Sequence, residues 1–204
     1  MTVIKEAAKP ADQKPRKIAL IGKAQSGKDT IAQILQREAA YTRLAFADRL
    51  KEAALRVDPI VRAERDGETS RLSYVVQTCG WERAKEYPEV RRFLQAFGAE
   101  MREIDDRIWI RPVADAVKVA TDLNMPCVVT DVRYANEVTE LQALGAVTVR
   151  VHRPGAGLQG DAGAHLSETE LDDVEADYTI DNTGTLAQLH ATVAFRLAPT
   201  LSER

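Results

Sequence analysis

The sequence predicts an α/β domain with a mostly parallel central sheet and helices on both faces. Three observations lead there. The apolar run Lys17 to Ile21 (KIALI) passes through the glycine-rich GKAQSGKD into a helical pattern. Pro126 to Val132 (PCVVTDV) is apolar with little alternation and ends near an acid, the pattern of a strand buried on both faces. Strand and helix patterns then keep alternating towards the C-terminus, which favours parallel strands joined by helical crossovers.

In chain order, residues 1–16 are charged and interrupted by Pro10 and Pro15, and are expected to form a flexible tail without the apolar core of a secretory leader. Residues 17–204 are expected to form one domain. Lys17 to Ile21 reads as a strand, and Asp29 to Ala40 as a helix with Ile31, Ile34 and Leu35 on one face. Arg43 to Ala47 reads as a second short strand, and Asp48 is placed to cap a helix through Leu50, Ala53, Ala54 and Leu55. Asp58 to Pro88 is polar and reads as loop with short helical pieces. Glu89 to Ile104 carries Val90, Phe93, Leu94, Phe97 and Met101 at helical spacing, with Gly98 as an interruption. An amphipathic stretch from Trp109 to Leu123 follows, then the Pro126 to Val132 strand and a helix from Ala135 to Leu144 ended by Gly145. Strands Val147 to His152 and Tyr178 to Asp181 and a helix from Leu186 to Leu197 complete the pattern. Between the last two strands, PGAGLQGDAGAH reads as a mobile flap.

Composition narrows the function classes. The 204 residues carry 28 basic and 31 acidic side chains, a net charge of -3, which gives no bulk attraction to nucleic acid or an anionic membrane. Cys79 and Cys127 stand far apart, outside zinc or CxxC spacing, which fits a reducing cytoplasm. No run approaches the length of a membrane span.

The segment Gly22 to Asp29 matches GxxxxGK, a phosphate loop, except that Asp follows Lys28 where Ser or Thr is usual. Gly22 and Gly27 let successive N–H groups face phosphate oxygens, the helix that follows adds its positive end, and Lys28 brings an ammonium. A glycine-rich turn that binds nothing is the plain alternative. Beside phosphates Asp29 repels unless a cation is present; with Mg²⁺ it becomes a ligand, directly or through water, while Thr30 offers a hydroxyl and the helix dipole offers a purely structural reason for the acid. Asp131, at the end of the buried run, is the candidate second acid, and Arg133 lies two positions beyond it. Lys51, Arg91, Arg92, Arg150, His152 and Arg153 are candidate further cations, or simply solvated charges. Ser167 and Glu170 form a candidate capping box. The turn Asp181 to Leu186 (DNTGTL) either walls a nucleotide base or is an ordinary connection. No nucleophile set stands out, so an acceptor oxygen must come from the substrate.

Taken together, IGKAQSGKDT, LAFADRLKEA, RRFLQAFGAEMREID, WIRPV, VVTDVRYANE, HLSETELDD and YTIDNTGTLAQL resemble the phage-type deoxynucleoside monophosphate kinases, over most of the chain. Animal phosphomevalonate kinases are similar in the loop and the DVR segment. The resemblance implies a P-loop NTPase three-layer fold, with a substrate-binding helical insertion over 58–108 and a lid loop over 153–168. It implies transfer of the ATP γ-phosphoryl group to a deoxynucleoside monophosphate. Gly22, Lys23, Ser26, Gly27, Lys28, Asp29, Thr30 and Asn182 would hold ATP, with Mg²⁺ on Asp29 and Asp131. Lys28, Asp29 and Arg133 would be the catalytic set. Asp48, Lys51, Arg92, Gln95, Asp131 and Arg133 would hold the acceptor, with Lys51 and Arg133 on its phosphate and Gln95 on its base. Arg153, His165 and Glu168 would belong to the lid. The expected setting is cytoplasmic, of a host cell if the protein is viral, with no nucleic acid or membrane partner and a homodimer possible. A kinase of the phosphomevalonate or dephospho-coenzyme A type, or a nucleotide-binding regulatory module, are the competing readings.

Overall fold

The structure is a computed structural model that describes residues 4–6, 17–62, 68–157 and 169–197. Two compact units are present, Met1–Ala45 with Val113–Arg204, and Phe46–Pro112.

The first unit holds a six-stranded sheet. Its strands are β1 (Ile4–Glu6), β2 (Lys17–Ile21), β3 (Thr42–Leu44), β6 (Cys127–Val129), β7 (Val147–His152) and β8 (Tyr178–Asp181), in the order β1-β8-β7-β2-β6-β3. All neighbours are parallel except β1, which runs antiparallel to β8 with Ile4 opposite Ile180. Ile18, Ala19, Leu20 and Ile21 of β2 are completely buried, as a central strand covered on both faces requires. Around this strand pack Ile31, Leu35, Val128, Val149, Val151, Ile180, Leu189 and Val193. Each such fully buried side chain contributes about 1.5–3 kcal/mol of transfer free energy.

Helix α1 (Lys28–Ala39) follows β2 and buries Ile31, Ala32, Ile34 and Leu35 on one stripe. It stops at Ala40, in the left-handed region at φ 54°, where Tyr41 N donates to Leu35 O at 3.2 Å. Helix α7 (Leu186–Thr192), ending in one π-helical turn, Val193–Leu197, packs with α1, bringing Leu189, Val193 and Leu197 into the core of Ile31 and Leu35, and α6 (Ala135–Ala143) lies against β7. From β2 the chain goes to the edge strand β3, returns to β6 beside β2, and then crosses to β7 on β2's other side. The loops after β2, β6 and β7 therefore meet at the reversal of strand order, where open α/β sheets bind ligands.

In the second unit α2 (Phe46–Val57) leads into a hairpin of β4 (Ile60–Arg62) and β5 (Thr69–Arg71), then α3 (Leu72–Ala84) and α4 (Pro88–Ile104). Helix α5 (Ile110–Asp122) leads back into the first unit. The core of the second unit is Ala54, Val61, Leu72, Val75, Ala84, Val90 and Leu94. Gly98 stands inside α4 because Leu50 comes close: a Cβ there would lie 3.3 Å from Leu50 Cδ2. The Gly98 carbonyl also accepts from Trp109 Nε1 at 3.2 Å.

Three expectations need correction. Residues 4–6, read as part of a tail, form β1. Phe46 and Ala47, read as strand, open α2, because the helix starts as soon as Ala45 and Phe46 turn into the interior; Asp48 thus lies in its first turn instead of capping it. The stretch from Asp58, read as loop with short helical pieces, contains the β4–β5 hairpin and the thirteen-residue α3, which is broken at Gly80 (φ 75°, ψ 164°).

Candidate phosphate-binding site

Gly22, Gln25 and Gly27 all have positive φ, at 136°, 63° and 107°. This coils the backbone between β2 and α1 into a tight loop, in which Ser26 N donates to Lys23 O at 3.3 Å; glycine-rich turns of this kind are able to form concave anion-holding nests. Glycine is needed sterically as well. A Cβ on Gly22 would lie 2.3 Å from Val151 O, and one on Gly27 would lie 2.6 Å from Asn182 Nδ2.

Lys28 opens α1, and its ammonium donates to Gly22 O at 2.6 Å and Lys23 O at 2.8 Å, so it lies across the loop. The Lys23 ammonium pairs with Asp172, with an Nζ–Oδ2 distance of 2.7 Å. Gly157 N donates to Ala24 O at 2.9 Å. Ser26 is 1% exposed; its carbonyl accepts from Asn182 Nδ2 at 2.9 Å, and its Oγ has no hydrogen-bond partner among the described residues. Asp29 is exposed in the first turn of α1, where a carboxylate complements the helix dipole, and Thr30 follows, half-buried.

The end of β6 makes the adjoining wall. Thr130 N donates to Leu44 O at 3.2 Å, and its buried Oγ1 is without a partner among the described residues. Half-buried Asp131 and Arg133 follow. Glu137, 1% exposed, accepts from Arg133 N at 2.8 Å and Tyr134 N at 3.2 Å, which fixes the turn into α6. Glu170 accepts from Ala135 N at 2.7 Å, so it serves the start of α6. The capping box expected of it with Ser167 cannot be followed, since Ser167 lies outside the described residues.

Among the candidate cations, Arg150 donates to Leu171 O at 2.7 Å and Val174 O at 2.5 Å, a structural clamp on the turn ahead of β8. His152 Nδ1 lies 3.2 Å from Asp181 Oδ1. Arg153 is exposed just beyond β7. His165 and Glu168 lie outside the described residues.

Asp48, Lys51, Arg92 and Gln95 belong to the second unit. There Lys51 Nζ is 3.6 Å from Asp48 Oδ1 and 5.8 Å from the Trp81 ring centre, a cation–π contact. Arg92 and Gln95 are exposed on α4, away from the buried Val90 and Leu94.

The structure thus gathers Gly22, Lys23, Ser26, Gly27, Lys28 and Asn182 at one loop, with Asp131 and Arg133 after the neighbouring strand. Thr130 and Glu137 are additions to the sequence-derived set. A hydroxyl ending an apolar run was the available signal for Thr130, and an acid three residues after Tyr134 the signal for Glu137. Mg²⁺ is usually held by one or two carboxylates together with substrate phosphates, so the donor types of Asp29 and Asp131 suit it. No group of three or more His, Cys, Asp or Glu gathers among the described residues.

A family model described as deoxynucleotide monophosphate kinase matches residues 68–193. That span contains Asp131, Arg133 and Asn182 and leaves out the glycine loop, so the two observations come from different parts of the chain. Two uncharacterized proteins of Ictalurid herpesvirus 1 (strain Auburn), ORF77 and ORF76, are 32% and 33% identical over 103 and 107 residues. The alignments take in 50% and 51% of this chain and 45% and 44% of those proteins, so the chain spans about half the length of the curated relatives it matches. Among solved structures there are loose overall resemblances to a sugar kinase from Janibacter sp. HTCC2649 (14% identity, TM-score 0.46, 93% of this chain and 99% of that one). TT1252 from Thermus thermophilus is similar at 21% identity, with a TM-score of 0.43, over 91% of this chain and 98% of its own.

Proposed function

We propose that this chain, which belongs to the deoxynucleotide monophosphate kinase family, transfers the γ-phosphoryl group of ATP to the 5′-phosphate of a deoxynucleoside monophosphate. The observation that carries the reading is the loop between β2 and α1, with three positive-φ residues and the Lys28 ammonium held on its carbonyls at the switch point of the sheet.

In this reading the loop N–H groups and Lys28 take the β- and γ-phosphates, and the N-terminal end of α1 adds its dipole. Lys28 moves from the Gly22 and Lys23 carbonyls to phosphate oxygens as ATP enters. Ser26 and Thr30 are further proposed ATP contacts. Mg²⁺ would be held by Asp29 and Asp131, and when bound it neutralises charge on the phosphates. Arg133, kept in place by Glu137 through the backbone, receives the acceptor phosphate and balances charge as the γ-phosphoryl group moves. Lys51, Arg92 and Gln95 are proposed acceptor contacts, with Asp48 orienting Lys51; Arg153, His165 and Glu168 are proposed lid residues. The acceptor's own phosphate oxygen attacks, so no protein nucleophile is required.

The test is ADP formation from ATP and Mg²⁺ with each deoxy- and ribonucleoside monophosphate, and with no acceptor. Stimulation by one or more deoxynucleotides supports the reading. Stimulation only by phosphomevalonate or dephospho-coenzyme A moves it to another small-molecule kinase, and slow hydrolysis indifferent to any acceptor moves it to a regulatory nucleotide-binding module.

A further inference from the structure

We infer that Asn182 is a positioning residue for the phosphate loop, acting through the Ser26–Gly27 peptide and not through the nucleotide base. Asn182 follows β8 and is 3% exposed. Its backbone N donates to His152 O at 2.7 Å, so it is seated by the end of β7, next to β8 in the sheet. Its side-chain Nδ2 donates to Ser26 O at 2.9 Å, a contact between residues 156 positions apart.

The consequence follows from peptide geometry. A trans peptide is planar, with its C=O and N–H pointing in opposite directions. An Asn182 amide that fixes the Ser26 carbonyl on its own side turns the Gly27 N–H away from it, towards the concave side of the loop. The same Nδ2 occupies the space a Gly27 Cβ would need, 2.6 Å from its ideal position. Donor and glycine are thus fitted to each other: Gly27 admits the amide, and the amide sets the peptide that joins Ser26 to Gly27. Without the donor, the Ser26 carbonyl is a buried acceptor lacking this partner, and the peptide is released to rotate. A loop that must order itself on binding holds its anion less tightly than one already ordered.

The inference rests on the proposed ATP site only for its kinetic part, so two readouts separate them. Hydrogen–deuterium exchange over residues 22–28 in ligand-free protein reads the positioning itself. The KM for ATP, set against kcat, reads its use. Asn182→Asp keeps the shape and removes the donor, and Asn182→Ala removes both; far-UV circular dichroism and melting confirm the fold of each. Faster loop exchange in Asn182→Asp, with the KM for ATP raised roughly 10-fold, as loss of about one hydrogen bond implies, supports the inference. Unchanged exchange overturns it: with a raised KM, Asn182 touches ATP itself, and with an unchanged KM the contact is idle. Faster exchange with an unchanged KM overturns its role in binding. Faster exchange in a protein whose wild type does not turn over ATP keeps the positioning and removes the kinase reading.

Discussion

In the proposed function, Lys28 is the residue on which phosphate binding turns. Its ammonium already sits on two loop carbonyls at 2.6 and 2.8 Å, so removing it takes away a cation placed in advance where phosphate charge has to be met. Lys28→Ala is expected to lower ATP-dependent transfer by about 100-fold or more, the scale seen when one charge-stabilising donor is deleted, with thermal unfolding little changed. Turnover retained at the wild-type rate would refute the assignment of the loop. Gly27 is the opposite case, because its substitution acts first on stability. A side chain there needs φ near 107° and meets Asn182 Nδ2 at 2.6 Å. Gly27→Ala should cost about 1–3 kcal/mol, as a strained backbone position does, and a denaturant titration matching the wild type would show that the loop yields freely. The glycine loop was legible in the sequence because GxxxxGK has a mechanism that depends on spacing alone. The tie from Asn182 to Ser26 was not, since nothing local in DNTGTL says which carbonyl lies 156 residues away. For the same reason Arg150 read as a candidate phosphate cation, whereas its guanidinium holds Leu171 O and Val174 O.

Among the elements, those with a strong apolar period were read at close to their observed limits. β2, α1, α4, α6, β7 and β8 bury continuous or periodic apolar faces, and burial is what a sequence pattern reports. The three-residue strands β1, β4 and β5 escape such reading, whereas β6, also three residues long, was legible because Cys127, Val128 and Val129 are all buried. β4 and β5 offer only Val61 as a buried anchor, and β1 owes its existence to β8, more than 170 residues later by the Ile4 to Ile180 pairing. The turn from β6 into α6 was read for Asp131 and Arg133 without its support. Glu137 accepts two backbone N–H groups there while almost completely buried. Glu137→Ala leaves both donors without that acceptor and should destabilise by about 1–3 kcal/mol, and it should also raise the KM for the acceptor by freeing Arg133. Glu137→Gln keeps a carbonyl oxygen in place and should recover most of both. If the alanine variant lost stability while acceptor use stayed at the wild-type level, the turn would be scaffold only and Arg133 would not depend on it.

At the scale of the whole molecule, the two units carry different titrating groups and different reporters. Cys127 belongs to the first unit, and burial pushes its thiol up to about 11. Its stabilising effect is complete below the unfolded value near 9, and it is lost as pH rises through about 11, because the unfolded chain releases a proton that the folded chain retains. The slope in that window is at most about 1.4 kcal/mol per pH unit, one proton's worth. Asp58 belongs to the second unit; the Ser73 backbone N–H, donating to Oδ1 at 2.8 Å, holds its carboxyl below the ordinary value. Its effect is present above the unfolded value and is lost as pH falls through the lower folded one. Both tryptophans, Trp81 and Trp109, lie in the second unit, so their fluorescence follows that unit, whereas labelling of Cys127 follows the first. Denaturant titrations between pH 8 and 11 should therefore show a falling midpoint by Cys127 exposure, and Cys127→Ala, followed by circular dichroism, should flatten that fall. As pH falls below the ordinary aspartate value of 3.8, the tryptophan midpoint should fall, less steeply in Asp58→Ala. Coincidence of the tryptophan and circular dichroism transitions at neutral pH would mean that the two units unfold as one cooperative body, and separate midpoints would mean that each has a stability of its own. A Cys127→Ala variant with the wild-type alkaline slope would show that other groups set the upper limit of stability, however deeply that thiol is buried.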